Sequence, residues 1–572
     1  VPPENLPAYI EDLQQILSHH GLDASYYAHA GAGELHVEPL INLKTEEGKR
    51  AFRAVLAETT QLVKKYNGSL SGEHGDGRLR GEFIRAALGE HVYGLLREVK
   101  AIFDPNGVFN ANKIVDTPPM DKFLRYEQDT STVAMNTVFD FHKQESILRL
   151  SEKCSGSGDC RKTHITGGTM CPSYMATREE KDTTRARANL LRQFLTASPK
   201  ENRFDHPEIK EVMDLCLSCK ACKTECPSGV DVTKMKAEFL QHYYDANGTP
   251  FRAWIIANFT KSQRLAAYIP GLYNGVIESK ILSPLVKRML GFARDRSLPQ
   301  VGKTTLRKWV ARQTRNQRQI GNGRTVYLFC DEFTEYNDVG IGQTTYRLLT
   351  ALGYDVRLTK HLESGRTYLS KGLVRQAKVI ANRNIRYLKD TITAETPLIG
   401  IEPSAILTFR DEYPDLADTS LLAEADKLAG HALLIDEFLA REMDAGHIDQ
   451  ALFSDIPRTI TLHGHCYQKA FHLVDCTSKI LSFPKGHTVT VIPSGCCGMA
   501  GSFGYEKEHY EVSMKVAELV LLPTVRNTPP EVLIAAPGTS CRHQIKDGAN
   551  RTAYHPVEIL WQALRQPPGF QR

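Results

Sequence analysis

Seven cysteines crowded between Cys154 and Cys226 constrain the fold of this chain more than any other feature. One run reads Cys-x2-Cys-x2-Cys-x3-Cys-Pro, the spacing of loops that bind iron–sulfur clusters. Its members are Cys216, Cys219, Cys222 and Cys226, and a partner run upstream contains Cys154, Cys160 and Cys171. Zinc is the competing interpretation, but four zinc ligands in two pairs do not account for a triplet and two Cys-Pro elements. The pattern predicts a protein that transfers single electrons.

The two runs divide unequally if they exchange their Cys-Pro cysteines, as two-cluster loops do. One set is complete and predicts a [4Fe–4S] cluster held by Cys216, Cys219, Cys222 and Cys171. The other contains Cys154, Cys160 and Cys226, with Ser157 at the position of a middle cysteine. This second set leaves three outcomes open: a three-iron cluster, a four-iron cluster with a serine or outside ligand, or no cluster.

Length and composition bound the class of protein. A chain of 572 residues predicts several domains, and 41% hydrophobic with 24% charged residues is ordinary for a soluble protein. No run approaches 18 apolar residues, so we expect no membrane span, and the apolar stretch 254–259 is expected to be a buried helix. Metal-like cysteine spacing predicts a reducing compartment, and we expect a cytoplasmic protein, with peripheral contact at the inner membrane as a further expectation.

Positive charge is concentrated between Lys287 and Arg324, where eleven Lys/Arg accompany one acid, Asp295. We interpret this stretch first as a solvated helix and linker. The alternative is an electrostatic patch for an acidic partner or a membrane surface. No RNA- or DNA-reading motif accompanies it, so nucleic acid is not expected as a partner.

Periodicity predicts a multidomain chain. Residues 1–116 read as α+β, with helices at 6–20 and 45–66 and strands at 25–29 and 36–41. A linker at 117–140, an all-helical iron–sulfur domain at 141–280 and a basic helical linker at 281–323 are expected to follow. Residues 324–572 read as an α/β domain whose β-branched runs are 325–330, 354–358, 378–380, 459–462, 488–492 and 532–535.

The α/β region reads as a duplication, with a degenerate copy at 324–456 and an intact copy at 457–572. Glu363-Ser364-Gly365 in the first copy corresponds to Cys496-Cys497-Gly498 in the second. Near the end of each copy, Pro403-Ser404-Ala405 corresponds to Thr539-Ser540-Cys541. We therefore expect a structural first copy and a chemical second copy.

A separate set of polar residues lies near the start of the chain. His29 and His36 flank a glycine-rich turn, and Glu73-His74 follows between further glycines. Two imidazoles and one carboxylate are typical of an open metal site with free positions for substrate. A structural histidine pair is the alternative interpretation.

These motifs, together with residues 103–113, resemble the C-terminal substrate domain of FAD-linked D-2-hydroxyacid oxidases and dehydrogenases, a family with the vanillyl-alcohol-oxidase architecture. The resemblance implies that His29, His36 and Glu73 hold a divalent metal, zinc or manganese, and that His74 is the catalytic base. It also implies flavin contacts from Asn110 and Lys113. Glu34 departs from the asparagine common in the family, although the three ligands are intact.

The cysteine regions carry two further resemblances. Residues 168–180 resemble the iron–sulfur part of large bacterial fusions of this oxidase family. The motifs around His463, His465 and His543 resemble the CCG domain of heterodisulfide-reductase-like proteins, although the final cysteine of that pattern is Gln544 here. The resemblance implies a cluster or zinc, with a structural thiol-lined pocket as the alternative, at Cys466, Cys496, Cys497 and Cys541. The three histidines are the candidates for lining a polar pocket, whereas Cys330 and Cys476 are expected to be buried apolar residues.

Taken together, the resemblances imply oxidation of a D-2-hydroxy acid, with D-2-hydroxyglutarate as the best fit. A hydride would pass to FAD, and electrons would then pass through iron–sulfur clusters to a quinone or another acceptor. The chain begins Val1-Pro2-Pro3, and we expect an N-terminal FAD-binding domain of the same polypeptide before it. A homo-oligomer is a further expectation. The alternatives are a separate iron–sulfur subunit of a D-lactate or glycolate oxidase complex and a zinc-stabilised non-redox scaffold.

Overall fold

The computed structural model describes residues 1–125, 134–316 and 323–565. Parts of both predicted linkers, at 126–133 and 317–322, lie outside the described residues. The chain divides into two compact units, Val1–Ala134 and Met135–Arg572. The finer domain boundaries within the second unit stay predictions.

The elements are numbered here in chain order. The α-helices are α1 (Leu6–His19), α2 (Glu46–Lys65), α3 (Ile84–Leu88), α4 (Glu90–Phe103), α5 (Ile147–Glu152), α6 (Pro172–Thr177), α7 (Thr184–Ala197), α8 (Pro207–Asp214), α9 (Ala221–Thr224), α10 (Val232–Asn247), α11 (Phe251–Ala257), α12 (Phe259–Ala266), α13 (Pro270–Glu278), α14 (Leu282–Leu290), α15 (Leu306–Asn316), α16 (Glu332–Tyr336), α17 (Val339–Ala351), α18 (Arg366–Ser370), α19 (Val374–Leu388), α20 (Pro403–Ile406), α21 (Thr408–Leu416), α22 (Leu422–His431), α23 (Ile435–Asp444), α24 (Cys466–Ala470), α25 (Val474–Ser482), α26 (Tyr510–Glu518), α27 (Leu521–Asn527), α28 (Thr539–Ala549) and α29 (Pro556–Ala563). The strands are β1 (Ala24–His29), β2 (Glu34–Pro39), β3 (Thr325–Leu328), β4 (Asp355–Arg357), β5 (Leu398–Gly400), β6 (Ala432–Leu434), β7 (Arg458–Leu462), β8 (His487–Val491), β9 (Leu533–Ala535) and β10 (Ala553–Tyr554).

The first unit is built on two helices and a two-stranded sheet. Leu13 and Leu17 of α1 are buried in one core with Val55 and Val63 of α2. The hydroxyl of Thr45 accepts a hydrogen bond from a backbone N–H in the first turn of α2, so this residue caps the helix as its type predicts. The predicted helices and strands of this region are confirmed to within two residues at most ends.

Strands β1 and β2 pair antiparallel around a glycine-rich turn. Gly33 lies in this turn with φ of +73°, a conformation that favours glycine. The register pairs Tyr27 with His36 and His29 with Glu34. The hairpin therefore brings the two predicted histidine ligands to the same end of the sheet.

The second unit begins with helices that surround the cysteine loops. Residues 141–280, all of which are described, contain helices and no strand, as the sequence predicts. Phe239 of α10 belongs to the same buried core as Val374 and Ile385 of α19. The helical region and the start of the α/β region therefore share one hydrophobic core.

Two four-stranded parallel sheets make up the rest of the second unit. Their strand orders are β4-β3-β5-β6 and β8-β7-β9-β10. In each sheet the second strand in sequence lies at one edge and the first lies beside it, so the two sheets have the same topology. Leu328, Ile399, Leu462 and Ala535 come from both sheets and lie in one core.

Two local predictions are wrong. Residues 378–380 are not a strand but lie inside α19, where residues spaced by three or four along the helix, such as Ala377, Ala381 and Ile385, are buried. The stretch 254–259 is not one buried helix: α11 ends at Ala257, and Trp254 is 53% exposed. Among the described residues, no helix is both long and apolar enough to span a bilayer.

Candidate functional site

Three predicted metal ligands meet in the first unit. The ligand atoms of His29, His36 and Glu73 all lie within 4.8 Å of one another. His29 and His36 come from the two paired strands, with ring centroids 5.5 Å apart, and Glu73 comes from the loop after α2. Two imidazoles and a carboxylate at this spacing fit a divalent ion, with the remaining positions accessible from solvent.

His74 lies next to this group on the same loop. Oε1 of Glu73 is 3.2 Å from Nε2 of His74 and 3.4 Å from Nε2 of His36. A Cβ at Gly72 would lie 2.6 Å from a carboxylate oxygen of Glu34, so this loop passes close to the hairpin. A larger residue at position 72 would displace the end of the Glu34 side chain. The loop geometry therefore holds His74 beside the three ligands while its own side chain stays 65% exposed.

The predicted flavin contacts lie in a separate loop of this unit. Asn110 is exposed and Lys113 is half-buried. Asn110 has φ of +47°, which asparagine tolerates better than most residues. The backbone N–H of Ile114 donates to the carbonyl of Gly77 at 2.8 Å, which anchors the end of this loop near the loop that carries His74.

The complete cysteine set is gathered among buried helices. Burial raises the pKa of the Cys222 thiol, and the neighbouring thiols of Cys171, Cys219 and Cys216 raise it further. Burial also raises the pKa of Cys171, to about 11. Thiols in these surroundings stay protonated until a metal displaces the proton, so cluster binding is expected to release protons.

The thiols of this set lie near one another. The charges of Cys171, Cys219 and Cys216 are close enough to raise the pKa of the Cys222 thiol. Among the described residues, the groups whose ligand atoms all lie within 4.8 Å of one another include none of these four cysteines.

Charged residues fix the two cysteine loops. The carboxylate of Glu225 accepts backbone N–H groups of Thr169 at 2.8 Å and Met170 at 3.1 Å, joining one loop to the other next to Cys171. Buried Lys220, between Cys219 and Cys222, donates to Asp411 and, at 2.6 Å, to Glu412. Because a buried ammonium needs compensation, these contacts hold the loop against α21.

The second, shorter cysteine set is only partly assembled. The pKa of Cys160 is raised by burial and, to a smaller extent, by nearby Cys154. Ser157 stands between Gly156 and Gly158, which both have positive φ, and is exposed. Cys226 is half-buried, and Ser228 beyond it donates to Ser155 at 3.0 Å. The two loops therefore touch. Ser157 is the residue that stands where a middle cysteine would complete this set.

The CCG-like cysteines form a second buried group. Hydrogen bonds from Cys496 and Cys541 lower the pKa of the Cys497 thiol, and a hydrogen bond from Cys496 lowers that of Cys466. Half-buried Lys469 donates to the carbonyls of Ser494 and, at 2.8 Å, Gly495. All four thiols are buried, so the group is closed to bulk solvent.

His463 lies close to two thiols of this group. The ligand atoms of His463, Cys497 and Cys541 all lie within 4.8 Å of one another. Nδ1 of His463 is 2.8 Å from the Ser494 hydroxyl, whereas its buried Nε2 has no hydrogen-bond partner. A buried nitrogen without a partner beside two thiols fits a metal ligand, since an imidazole ligand commonly uses its other nitrogen for an orienting hydrogen bond.

The two cysteine regions of the second unit adjoin each other. A Cβ at Gly495 would lie 3.2 Å from the carbonyl oxygen of Gly168, so the CCG-like loop packs directly on the loop that leads to Cys171. The charges of Cys466 and Cys219 are also close enough to affect each other. The two cysteine regions are therefore neighbours within the second unit.

A carboxylate and a hydroxyl pair in the stretch that the sequence predicts to be the degenerate copy. Ser364, which is predicted to correspond to Cys497, donates through its hydroxyl to Glu332 at 2.6 Å and through its backbone N–H at 3.0 Å. Burial raises the pKa of Glu332 and raises that of neighbouring Glu363 to about 7. The sequence showed that cysteines were missing here but gave no sign that a hydrogen-bonded pair would occupy their place.

The other histidines and cysteines predicted for this region lie in different places. His543 lines a cavity of about 550 Å³ together with Lys280, Lys287 and Lys546, whereas neither His463 nor His465 lines it. His465 caps α24 by accepting the backbone N–H of Tyr467 at 3.1 Å. Cys330 is buried, as predicted, but Cys476 is only half-buried.

Comparison with known proteins defines the class to which these features belong. Residues 1–114 match the family described as FAD linked oxidases, C-terminal domain, and residues 153–231 match the family described as 4Fe-4S dicluster domain. The chain therefore combines an FAD-linked oxidase domain with an iron–sulfur domain, which supports FAD and an iron–sulfur cluster as cofactors. These matches confirm two of the predicted domain types, the FAD-linked oxidase C-terminal domain and the iron–sulfur domain.

Individual relatives sharpen the comparison. The chain is 27% identical over 99% of its length to D-2-hydroxyglutarate dehydrogenase of Escherichia coli K12, and 29% identical over 98% of its length to the protein of that name from Pseudomonas putida KT2440. It covers 58% of the length of each. Over 56% of its length it is 24% identical to a component of the anaerobic glycerol-3-phosphate dehydrogenase of Escherichia coli K12, covering 79% of that protein. No solved structure matches the chain. By sequence, the chain is similar over nearly its whole length to proteins named D-2-hydroxyglutarate dehydrogenase.

Proposed function

We propose that this chain binds the substrate and conducts electrons in an FAD- and iron–sulfur-dependent D-2-hydroxyacid dehydrogenase, with D-2-hydroxyglutarate as the substrate. The observation that carries this proposal is the meeting of His29, His36 and Glu73 within 4.8 Å in a domain that matches FAD-linked oxidases. The similarity to D-2-hydroxyglutarate dehydrogenases supports the choice of substrate.

The residues of the first unit divide the work of removing two hydrogens from an α-hydroxy acid. A divalent ion held by His29, His36 and Glu73 would supply Lewis acidity to the substrate hydroxyl. FAD, when bound, supplies the hydride acceptor. His74 accepts the hydroxyl proton, and Glu73, 3.2 Å away, orients its imidazole. Asn110 and Lys113 are proposed to contact the flavin, which would be held in large part by an N-terminal domain.

The second unit is proposed to carry the electrons onward. Cys216, Cys219, Cys222 and Cys171 are the proposed ligands of a [4Fe–4S] cluster, and Cys154, Cys160 and Cys226 are the proposed ligands of a second, incomplete one. A quinone or another one-electron acceptor would receive the electrons. The match to a dicluster domain supports both assignments.

We also propose that residues 324–572 form a duplicated CCG-type domain. The identical strand orders of the two sheets support the duplication, as do the positive φ values of Gly365 and Gly498 at corresponding positions. The second copy is proposed to hold a cluster or zinc at the four cysteines Cys466, Cys496, Cys497 and Cys541. The close approach of His463 to Cys497 and Cys541 favours a zinc ion held by these three residues.

Cobalt substitution tests this last assignment. The full-length protein loaded with Co²⁺ is expected to show a sulfur-to-metal charge-transfer band that His463→Ala weakens or shifts and Cys497→Ser abolishes. His487→Ala, which removes another buried imidazole, is the matched control and should leave the band unchanged. A band that is insensitive to both His463 and Cys497 would remove the site.

The main proposal is tested by turnover of the full-length protein. We expect reduction of an artificial one-electron dye in the presence of D-2-hydroxyglutarate, with much lower rates for the L-enantiomer. A chelator should abolish the activity, and Zn²⁺ or Mn²⁺ should restore it. Activity that survives complete metal removal would contradict the metal-assisted role of His29, His36 and Glu73.

A second candidate is an iron–sulfur electron-transfer protein that serves a separate flavoprotein. The similarity to the anaerobic glycerol-3-phosphate dehydrogenase component, of which the chain covers 79%, favours it. The two candidates differ in the role of the first unit. A His29→Ala variant that still conducts electrons from dithionite to the acceptor but no longer turns over hydroxy acid supports the dehydrogenase.

A further inference from the structure

Four consecutive helices of the second unit, α11 to α14, expose an unusual amount of apolar surface. We refer to their exposed side as the 251–290 face. Ile281 is 83% exposed and Met289 is 77% exposed. The large apolar residues exposed on this face are Phe251, Trp254, Leu265, Tyr268, Ile269, Leu272, Ile281, Leu282, Leu285 and Met289. A concentration of this kind within 40 residues marks a contact surface, not scattered single residues.

The apolar residues lie in stripes along the helices. In α14, Leu282, Leu285 and Met289 are exposed at positions i, i+3 and i+7, whereas Ser283 is buried. This spacing places three apolar side chains on one side of the helix, and that side is turned outward. In an ordinary surface helix the apolar side faces the core. In α14 the apolar side faces away from the rest of the described residues.

Contacts between the helices join these stripes into one layer. Arg252 at the start of α11 donates to the carbonyl of Gly291, just after α14, at 3.0 Å. Helices α13 and α14 pack on each other, as do α11 and α12. The first and last helices of the face are therefore neighbours.

The charge of this face is one-sided. Residues 251–290 contain six Lys/Arg and one acid, Glu278. Lys261, Arg264, Lys280 and Arg288 are exposed among the apolar residues. The ammonium of Lys308 in basic helix α15 lies 5.7 Å from the ring centroid of Tyr268, which extends the positive charge beyond the four helices. The positive charge of the basic stretch therefore borders this face.

We propose that the 251–290 face docks the protein on an anionic lipid bilayer. Exposed aromatic and aliphatic side chains bordered by Lys/Arg are the composition of helices that lie in the membrane interface, where the apolar residues enter the headgroup region and the cations meet anionic lipids. The charge complementarity selects a lipid surface over a second copy of this chain, because two copies would bring like charges together. Docking there would bring the electron-carrying unit to lipid-soluble acceptors.

Vesicle binding of the full-length protein tests the proposal. We expect co-sedimentation with vesicles of phosphatidylcholine and phosphatidylglycerol, little binding to pure phosphatidylcholine, and release at high salt. Leu285→Gln with Met289→Gln, and separately Lys280→Glu with Arg288→Glu, should each lower the partition coefficient at least tenfold. In a variant that retains Trp254 as its single tryptophan, the fluorescence should shift to the blue on addition of anionic vesicles.

Matched controls distinguish docking by this face from nonspecific binding to vesicles. Ile456→Asn removes an exposed apolar residue elsewhere in the second unit, and Lys485→Glu reverses an exposed charge elsewhere; both should bind vesicles like the unmodified protein. Absence of vesicle binding overturns the proposal. So does a change in oligomeric state on Leu285→Gln with Met289→Gln without loss of lipid binding, which would assign the face to a second copy. Because lipid binding needs no turnover, its failure is distinct from failure of the proposed dehydrogenase function.

Discussion

Nε2 of His36 lies 3.4 Å from Oε1 of Glu73, although 37 residues separate them in sequence. The hairpin supplies the histidine and the glycine-rich loop supplies the carboxylate. Their meeting next to His29 and His74 turns four separate motif residues into one group. Three of these residues have the composition of a metal site, and the fourth has the position of a base.

Loss of one histidine ligand should remove the metal. We expect His36→Ala to lower the affinity for Zn²⁺ or Mn²⁺ and to reduce hydroxy-acid turnover at least a hundredfold, because the remaining two ligands hold the ion weakly. Metal content and dye reduction check this in parallel. His91→Ala removes an exposed histidine of α4 and should change neither quantity.

Replacement of His74 should separate proton transfer from metal binding. His74→Gln keeps a polar side chain but removes the base, so kcat is expected to fall by about 10²–10⁴ while the metal content stays unchanged. An unchanged kcat would assign the proton to another group.

The sequence indicated which polar residues of the first unit would lie together better than it predicted the short strands. The proximity of His29, His36 and Glu73 could be expected because their motifs flank glycine-rich turns whose spacing is informative. The three-residue strands β5 and β6 were missed, and residues 378–380 were wrongly predicted as one, because a run of three apolar residues does not distinguish a buried strand from a helix. Periodicity succeeded for α1 and α2, which are long enough to repeat their pattern.

Contacts between distant segments could not be predicted from the sequence. The orphaned Nε2 of His463 and the pairing of Ser364 with Glu332 depend on loops more than 30 residues apart meeting in the fold. The outward apolar stripe of α14 was missed for a related reason. Its spacing is that of an ordinary amphipathic helix, and spacing does not reveal which side faces the core.

The complete cysteine set should account for most of the visible absorbance. Cys222→Ser is expected to lose the broad band of a [4Fe–4S] cluster and about four irons per chain, since three cysteines hold the cluster weakly. Cys476→Ser removes a half-buried cysteine outside the metal-like spacings and serves as the control. Iron content and dithionite bleaching are the measurements. Retention of both by Cys222→Ser would contradict the assignment.

Glu363 should make stability depend on pH. Burial raises its pKa from 4.5 to about 7, so the folded chain binds a proton that the unfolded chain has lost. The folded state is therefore favoured below pH 4.5 and loses this stability as the pH rises from 4.5 through about 7.

Glu363→Gln removes this titration while keeping an acceptor for the hydroxyl of Thr260. At pH 8 the variant is expected to be more stable than the unmodified protein by up to about 3 kcal/mol, with the difference shrinking to about 1 kcal/mol near pH 5. Thermal midpoints between pH 5 and 8 measure it. Glu531→Gln, at an exposed position, should show no such divergence, and parallel curves for Glu363→Gln would refute the raised pKa.

Hydroxy-acid oxidation in the first unit is expected to supply electrons to the cysteine-held cluster of the second. Anaerobic mixing of the full-length protein with D-2-hydroxyglutarate, followed by electron paramagnetic resonance, measures this transfer. We expect the signal of a reduced [4Fe–4S] cluster in the unmodified protein and its absence in His74→Gln, although dithionite still reduces that variant. A cluster that stays oxidised while the flavin is reduced by substrate would contradict it.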